Sequence, residues 1–191
     1  MWTDLLKGDQ HALKQIYLEY HTGLFQYGMR ILLNEEATRD CIHNLFVKIW
    51  ANHKNLKHTD NIKYYLMSAL RNEIINYRTR ESRYKHDQID LETFMLDFSV
   101  ESVYIRKEEI NEQTEKLVGA MNQLTPRQKE IIYLRYFEEL NYDQIADMMD
   151  ITVKGAYKLS ARALDALKEI MKIDKVLLIG MLLSAKQNYW H

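Results

Sequence analysis

Apolar residues recur at steps of three and four along most of the chain, the period of helices with one buried side. Leu13, Ile16, Tyr17, Tyr20, Leu24 and Tyr27 form the first such stripe, with Gly23 as the expected break point. Ala37, Cys41, Ile42, Leu45, Phe46, Ile49 and Trp50 form the second. Asn34 is placed to cap that helix, and Glu35 and Glu36 suit the positive end of its dipole. After the polar stretch "ANHKNLKHTD", Asp60 is placed to cap a long helix with Ile62, Tyr65, Leu66, Ala69, Leu70, Ile74 and Tyr77 inside. The period lapses from Asp87 to about Ser99, resumes near Glu101 and runs towards Met121.

Beyond that point the start signals become sharp. In "LTPRQ", Thr125 is a cap, Pro126 takes the first helical position and Gln128 stands three residues after the cap. Asn141 and Gln144 repeat the pattern, and Thr152 can cap a further helix. Between these last two, Ile145 and Met149 share a face, Ala146 permits close approach, and Asp150 tolerates the left-handed turn position better than most residues. Ala156, Ala163, Leu164 and Leu167 can then face inward while Lys154, Lys158 and Arg162 stack outward at four-residue steps. Two short helices, a tight turn and an outer basic stripe read as a helix-turn-helix. Its second helix suits the major groove; the Thr152 hydroxyl and the cations suit phosphates, and Tyr157 can add a contact. Helical hairpins with cations on the wet side are common, so this spacing alone does not make a DNA reader.

Nothing alternates with the period of a strand, and one proline and six glycines in 191 residues are too few turn residues for a sheet protein. The expected fold is all-α, two small helical domains joined by an acidic linker. Their expected bounds are 1–86, a linker over 87–109, a helix-turn-helix domain over 110–172 and an apolar tail over 173–191. Charge divides the same way: residues 1–86 carry +4, 87–115 carry −7, and 116–172 carry +1, within a net −1. The single Cys41 excludes an internal disulfide framework. No charged-then-apolar leader opens the chain, and no apolar run reaches the roughly 20 residues of a membrane span, so a cytoplasmic protein without membrane insertion is expected.

Catalytic chemistry finds little footing. The seven histidines are dispersed, and His53 with His58 lacks a carboxylate or cysteine set for zinc. There is no GxxxxGK[ST] or GxGxxG loop and no nucleophile constellation, so neither enzyme activity nor a cofactor is expected.

The helix-turn-helix does not stand alone. "LTPRQKEIIYLRYFEELNYDQIA" followed by "ITVKGAYKLSARAL" resembles the promoter-reading C-terminal domain of bacterial RNA polymerase sigma factors of the extracytoplasmic-function class. Upstream, "LFQYGMRILLNEEATRDCIHNLFVKIWANHKNL" followed by "YYLMSALRNEIINYRTRESR" resembles the N-terminal domain of the same family. The resemblance covers residues 6–83 and 116–168, in family order around the acidic connector. It implies a transcription initiation factor that binds core RNA polymerase and directs it to specific promoter DNA, with no catalysis of its own. An anti-sigma factor is a partner that often restrains such proteins.

The resemblance also implies site residues. The helix around Asp40 to Trp50 would present the core polymerase surface, with Asp40, His43, Asn44, Phe46, Lys48 and Trp50 as candidates. The family often has Gln and an acid where this chain has His43 and Asn44, which removes one charge contact. Leu45, Phe46, Ile49 and Trp50 also read simply as core. The loop Asn52 to Asp60 and the helix after it would recognise and open the upstream-of-start element, through Asn55, Leu56, Lys57, Tyr64, Arg71, Asn72 and Arg78. Physical chemistry agrees, since opening needs cations for the backbone and aromatic or amide groups for unstacked bases. Arg80 and Arg83 extend that basic helix, whereas Tyr65 and Tyr77 sit on its inner stripe. The −7 connector could complement basic walls of a polymerase channel or be a solvated tether.

Two other classes compete. A helix-turn-helix transcriptional regulator that is not a sigma factor would share the C-terminal half but should add a ligand pocket or a phosphoacceptor aspartate. A helical adaptor would carry Lys154, Lys158 and Arg162 only as solvated surface. The tail "IDKVLLIGMLLSAKQNYWH" lies beyond the resemblance. Its apolar run, about 12 Å as helix, cannot cross about 30 Å of hydrocarbon. It would pack on its own chain, dock between the two DNA-reading domains, or be masked by an inhibitory partner.

Overall fold

A computed structural model describes residues 1–85 and 112–189. The chain divides into two compact units, Met1–Leu91 and Glu92–His191. Among the described residues every regular element is helical, and no helix is long and apolar enough to cross a membrane.

The first unit holds α1 (Trp2–Leu6), α2 (Gln10–Leu32), α3 (Glu35–Asn52), a 3₁₀ turn over His53–Asn55, and α4 (Ile62–Lys85). Its core combines Ile16, Leu24, Tyr27 and Ile31 with Cys41, Ile42, Leu45, Ile49, Leu66, Leu70 and Ile74, all buried. The α3 stripe is buried apart from half-buried Trp50, whereas on α4 only Leu66, Leu70 and Ile74 are buried and Ile62, Tyr65, Ala69 and Tyr77 are half-buried. Tyr17 of the α2 stripe is 38% exposed. Asn34 caps α3 as expected, its Oδ1 accepting from the Ala37 amide at 2.9 Å.

Two local expectations fail. Gly23 does not break α2, which continues unbroken to Leu32. Leu24, Tyr27 and Ile31 stay in phase with Ile16, and keeping their burial outweighs the roughly 1 kcal/mol that a helical glycine costs. Asp60 does not cap α4. Asn61 does: its Oδ1 accepts from the Tyr64 amide at 2.9 Å, and its carbonyl takes the Tyr65 amide at 3.1 Å. Asp60 faces water 3.5 Å from His58. Both residue types cap well, and the three-residue spacing to a free amide decides between them.

The turn from α2 to α3 brings the two helices close. Leu33 adopts φ 51°, and its N–H closes on the Met29 carbonyl. A Cβ on Gly28 would lie 2.7 Å from Thr38 Cγ2, so only glycine fits. Thr38 is fully buried and bonds the Asn34 carbonyl at 2.7 Å.

The second unit holds α5 (Glu112–Asn122), α6 (Pro126–Ile132) running into a π-helical turn over Tyr133–Phe137, α7 (Tyr142–Met149), α8 (Val153–Met171) and α9 (Lys175–Tyr189). Both expected capping boxes form, Thr125 with Gln128 and Asn141 with Gln144. The π turn carries no sequence signal. It stacks Tyr133 on Phe137 at 5.9 Å and is followed by Glu139 at φ 59°, which redirects the chain into α7.

The apolar tail is a helix packed on its own unit. Asp174 caps it, accepting from the Val176 and Leu177 amides at 2.9 Å, and Lys175 pairs with Asp165 at 2.7 Å. Leu178, Leu182 and Ala185 are buried, while Val176 stays 83% exposed. The acidic connector over 87–109 and the helical restart near Glu101 lie outside the described residues.

Candidate nucleic-acid interface

In the second unit α7 and α8 meet across a tight turn. Asp150 takes φ 52° and ψ 54°, the left-handed position expected of it, and its orphan-carbonyl partners are those of a helix C-terminus. The Ile151 amide returns to the Ala146 carbonyl at 3.0 Å. Thr152 then caps α8, its hydroxyl accepting from the Gly155 amide at 3.0 Å. Ile145, Ala146, Met148 and Met149 of α7 pack with Ala156, Ala163, Leu164 and Leu167 of α8, all buried. Burying that face leaves α8 only one way to turn. Thr152, Lys154, Tyr157, Lys158 and Arg162 all lie exposed.

Tyr157 is not a loose surface ring. It is 56% exposed and packs on Tyr142 with centroids 3.9 Å apart. Tyr142 is in turn held by its hydroxyl, which donates to buried Ser160 at 3.1 Å, and by the Arg135 guanidinium 5.2 Å from its ring centre. Arg135 also donates to the Leu140 carbonyl at 3.0 Å, and Arg127 reaches the Met149 carbonyl at 3.4 Å. Sequence reasoning missed Tyr142, Arg135 and Arg127 because their meeting depends on the helix crossing, which no spacing encodes. An aromatic at the first turn of α7 was the one available hint.

In the first unit the candidates divide. Asn55 and Lys57 are exposed on the loop after α3, with Leu56 half-buried between them. Asn72 is exposed on α4, and Tyr64 and Arg71 are half-buried. Arg78 turns inward instead. It donates to the Ile31 carbonyl at the end of α2, where a cation suits the dipole, and burial lowers its pKa. Arg80 is exposed, and the side chain of Arg83 lies outside those described.

The α3 candidates divide the same way. Asp40 and His43 are exposed and Asn44 half-buried. Phe46 is 7% exposed, its ring edge-on to Tyr17 at 5.0 Å. Lys48 pairs with Glu73 of α4, whose carboxylate is buried. Trp50 stacks on His53 at 5.0 Å. Tyr65 and Tyr77 are half-buried, and burial raises both phenol pKa values. Among the described residues no three His, Cys, Asp or Glu side chains converge as a metal site would require.

Comparison with known proteins follows this division. Residues 16–84 match the family described as Sigma-70 region 2, and residues 120–169 match Sigma-70, region 4. The chain is 22% identical over 163 residues to RNA polymerase sigma factor YlaC of Bacillus subtilis, covering 84% of this chain and 92% of that protein. It is 23% identical over 159 residues to ECF RNA polymerase sigma factor SigM of the same organism, covering 83% and 94%. Its fold is similar to that of the sigma factor RpoE from Bartonella quintana, solved in complex with the anti-sigma factor NepR. The TM-score is 0.61 at 20% identity, over 84% of this chain and 97% of that one.

Proposed function

Because the chain belongs to the sigma-70 family, in its extracytoplasmic-function class, we propose a division of labour among its residues. The protein binds core RNA polymerase and directs it to promoter DNA. In our reading the C-terminal unit docks on duplex DNA through Lys154, Lys158 and Arg162, with Thr152 and the propped ring of Tyr157 alongside. The loop with Asn55, Leu56 and Lys57, together with Tyr64, Arg71 and Asn72, takes the strand that opens. Core polymerase is met by the exposed side of α3, chiefly Asp40 and His43, with Asn44 at its edge. Arg78, Phe46 and Trp50 serve this surface from behind, and exposed Lys48 from within it, by holding the helices that carry it.

One observation carries this reading: two sigma regions occur in family order, and the cations of α8 stand on the face its packing leaves open. We assign the protein to the cytoplasm and give it no catalytic step, since its work is positioning another enzyme. The RpoE structure holds an anti-sigma factor, and a partner of that class is part of the proposal. The expected bounds 1–86, 87–109, 110–172 and 173–191 remain our working division. The test is to add the purified protein to core RNA polymerase and map the transcript starts. Discrete new starts support the reading, whereas a regulator that is not a sigma factor would leave the core enzyme unable to initiate.

A further inference from the structure

The first nine residues precede the region 2 match, which begins at residue 16, and none of the roles above uses them. Two of them are nevertheless buried. α1 has only five residues, too few to persist as an isolated helix, yet Trp2 is 3% exposed and Leu5 fully buried. α1 packs on α2 and on the turn that opens the loop after α3. The Trp2 indole N–H donates to the Lys57 carbonyl at 3.1 Å, and its ring meets Tyr65 of α4 edge-on at 4.8 Å.

The N-terminal segment also passes close to the start of the same loop. Gly8 follows α1 at φ 88°, and a Cβ there would lie 3.2 Å from His53 Nε2. His53 is fixed from its other side, Nδ1 donating to the Trp50 carbonyl at 2.7 Å, with the two rings stacked. Leu56 begins an extended stretch at φ −69° and ψ 139°. In such backbone an inward carbonyl at Lys57 constrains where the neighbouring side chains project. Asn55 and Lys57 are exposed, on a loop that the N-terminal segment bonds at Lys57 and approaches closely at His53.

We propose that Trp2 is a positioning residue for strand opening: by holding the Lys57 carbonyl it presets the loop that captures an unstacked base. This rests on the assignment of that loop to promoter opening. A loop ordered beforehand loses less conformational freedom when it binds, so capture is stronger without any new DNA contact.

Trp2→Phe tests this in the full-length protein assembled with core polymerase. It keeps an aromatic ring against Tyr65 while removing the N–H together with part of the buried indole. Loss of one hydrogen bond of ordinary strength corresponds to about a fivefold change. Opening of a duplex promoter should fall by about that factor, with activity on a pre-melted template and affinity for core polymerase near the parent's. Loop amides around Lys57 should exchange hydrogen faster in Trp2→Phe while those of α3 do not. Parent-like opening with parent-like loop exchange would overturn the proposal, and so would equal loss on duplex and pre-melted templates. The variant Asn55→Ala/Leu56→Ala/Lys57→Ala separates the two claims. If it loses duplex opening while Trp2→Phe does not, the loop assignment stands and the positioning role falls. If it opens duplex normally, the loop assignment falls and takes the positioning role with it.

Discussion

On α8, Lys154, Lys158 and Arg162 lie exposed in a row, and among the described residues none is paired with a carboxylate. On α3 and α4, Lys48 is committed to buried Glu73 and Arg78 to the end of α2. The same residue types thus do different work on different helices. The cations of α8 stand on the side that its packing leaves open. The cations of α3 and α4 are held instead by a carboxylate and a carbonyl of neighbouring helices. A basic residue is evidence of a DNA contact only after the structure has had its claim on it.

The contrast can be broken most directly on α8. Replacing Lys154, Lys158 and Arg162 together by alanine should weaken promoter DNA binding on the order of 10²-fold at 0.1 M salt and reduce the salt slope by about three. The C-terminal unit should melt as before. Binding titrations across salt concentrations check this, and an unchanged slope would remove these residues from the interface.

Packing in the first unit should yield a smaller effect confined to that unit. Gly28→Ala forces a methyl against Thr38, 2.7 Å away. Overpacking of this kind costs about 1–3 kcal/mol. Urea unfolding should show the loss in the N-terminal unit, with the C-terminal unit's DNA binding intact.

A matched pair of substitutions sharpens the comparison itself. Lys48→Met leaves the buried carboxylate of Glu73 without its cation. Because Lys48 is 58% exposed, water compensates in part, and a loss of about 1–2 kcal/mol is expected. Lys158→Met, on an open surface, should alter stability by no more than about 0.5 kcal/mol while lowering DNA affinity. Similar stability losses at both sites would erase the distinction drawn here.

The last test is a pH signature of the first unit. Burial, and then the Glu73 carboxylate, push the Cys41 thiol up to about 11. The folded state therefore holds this proton where the unfolded state releases it. Its contribution is complete below the ordinary thiol pKa of 9.0 and is lost as pH rises from there towards 11. Cys41 is the chain's single cysteine, so maleimide labelling reports on the first unit alone. Labelling should be slow in the folded protein at pH 8 and fast in urea; fast labelling of the folded chain would contradict the burial.

What the chain determined by itself is local or periodic. The caps at Asn34, Thr125, Asn141 and Thr152, the left-handed Asp150 and the inward stripes of α3 and α8 each depend on residues within a turn or two. The helix-turn-helix was legible for that reason, because its exposed face is simply the complement of its buried one. Tertiary structure decided the rest. Neither the unbroken run through Gly23 nor the π turn at Tyr133–Phe137 could be foreseen from local propensity. Arg78 and Lys48 found partners 47 and 25 residues away, and Trp2 found Lys57 across 55. Such meetings depend on how helices cross, and a crossing is set by the sum of many side-chain volumes, which no short spacing records.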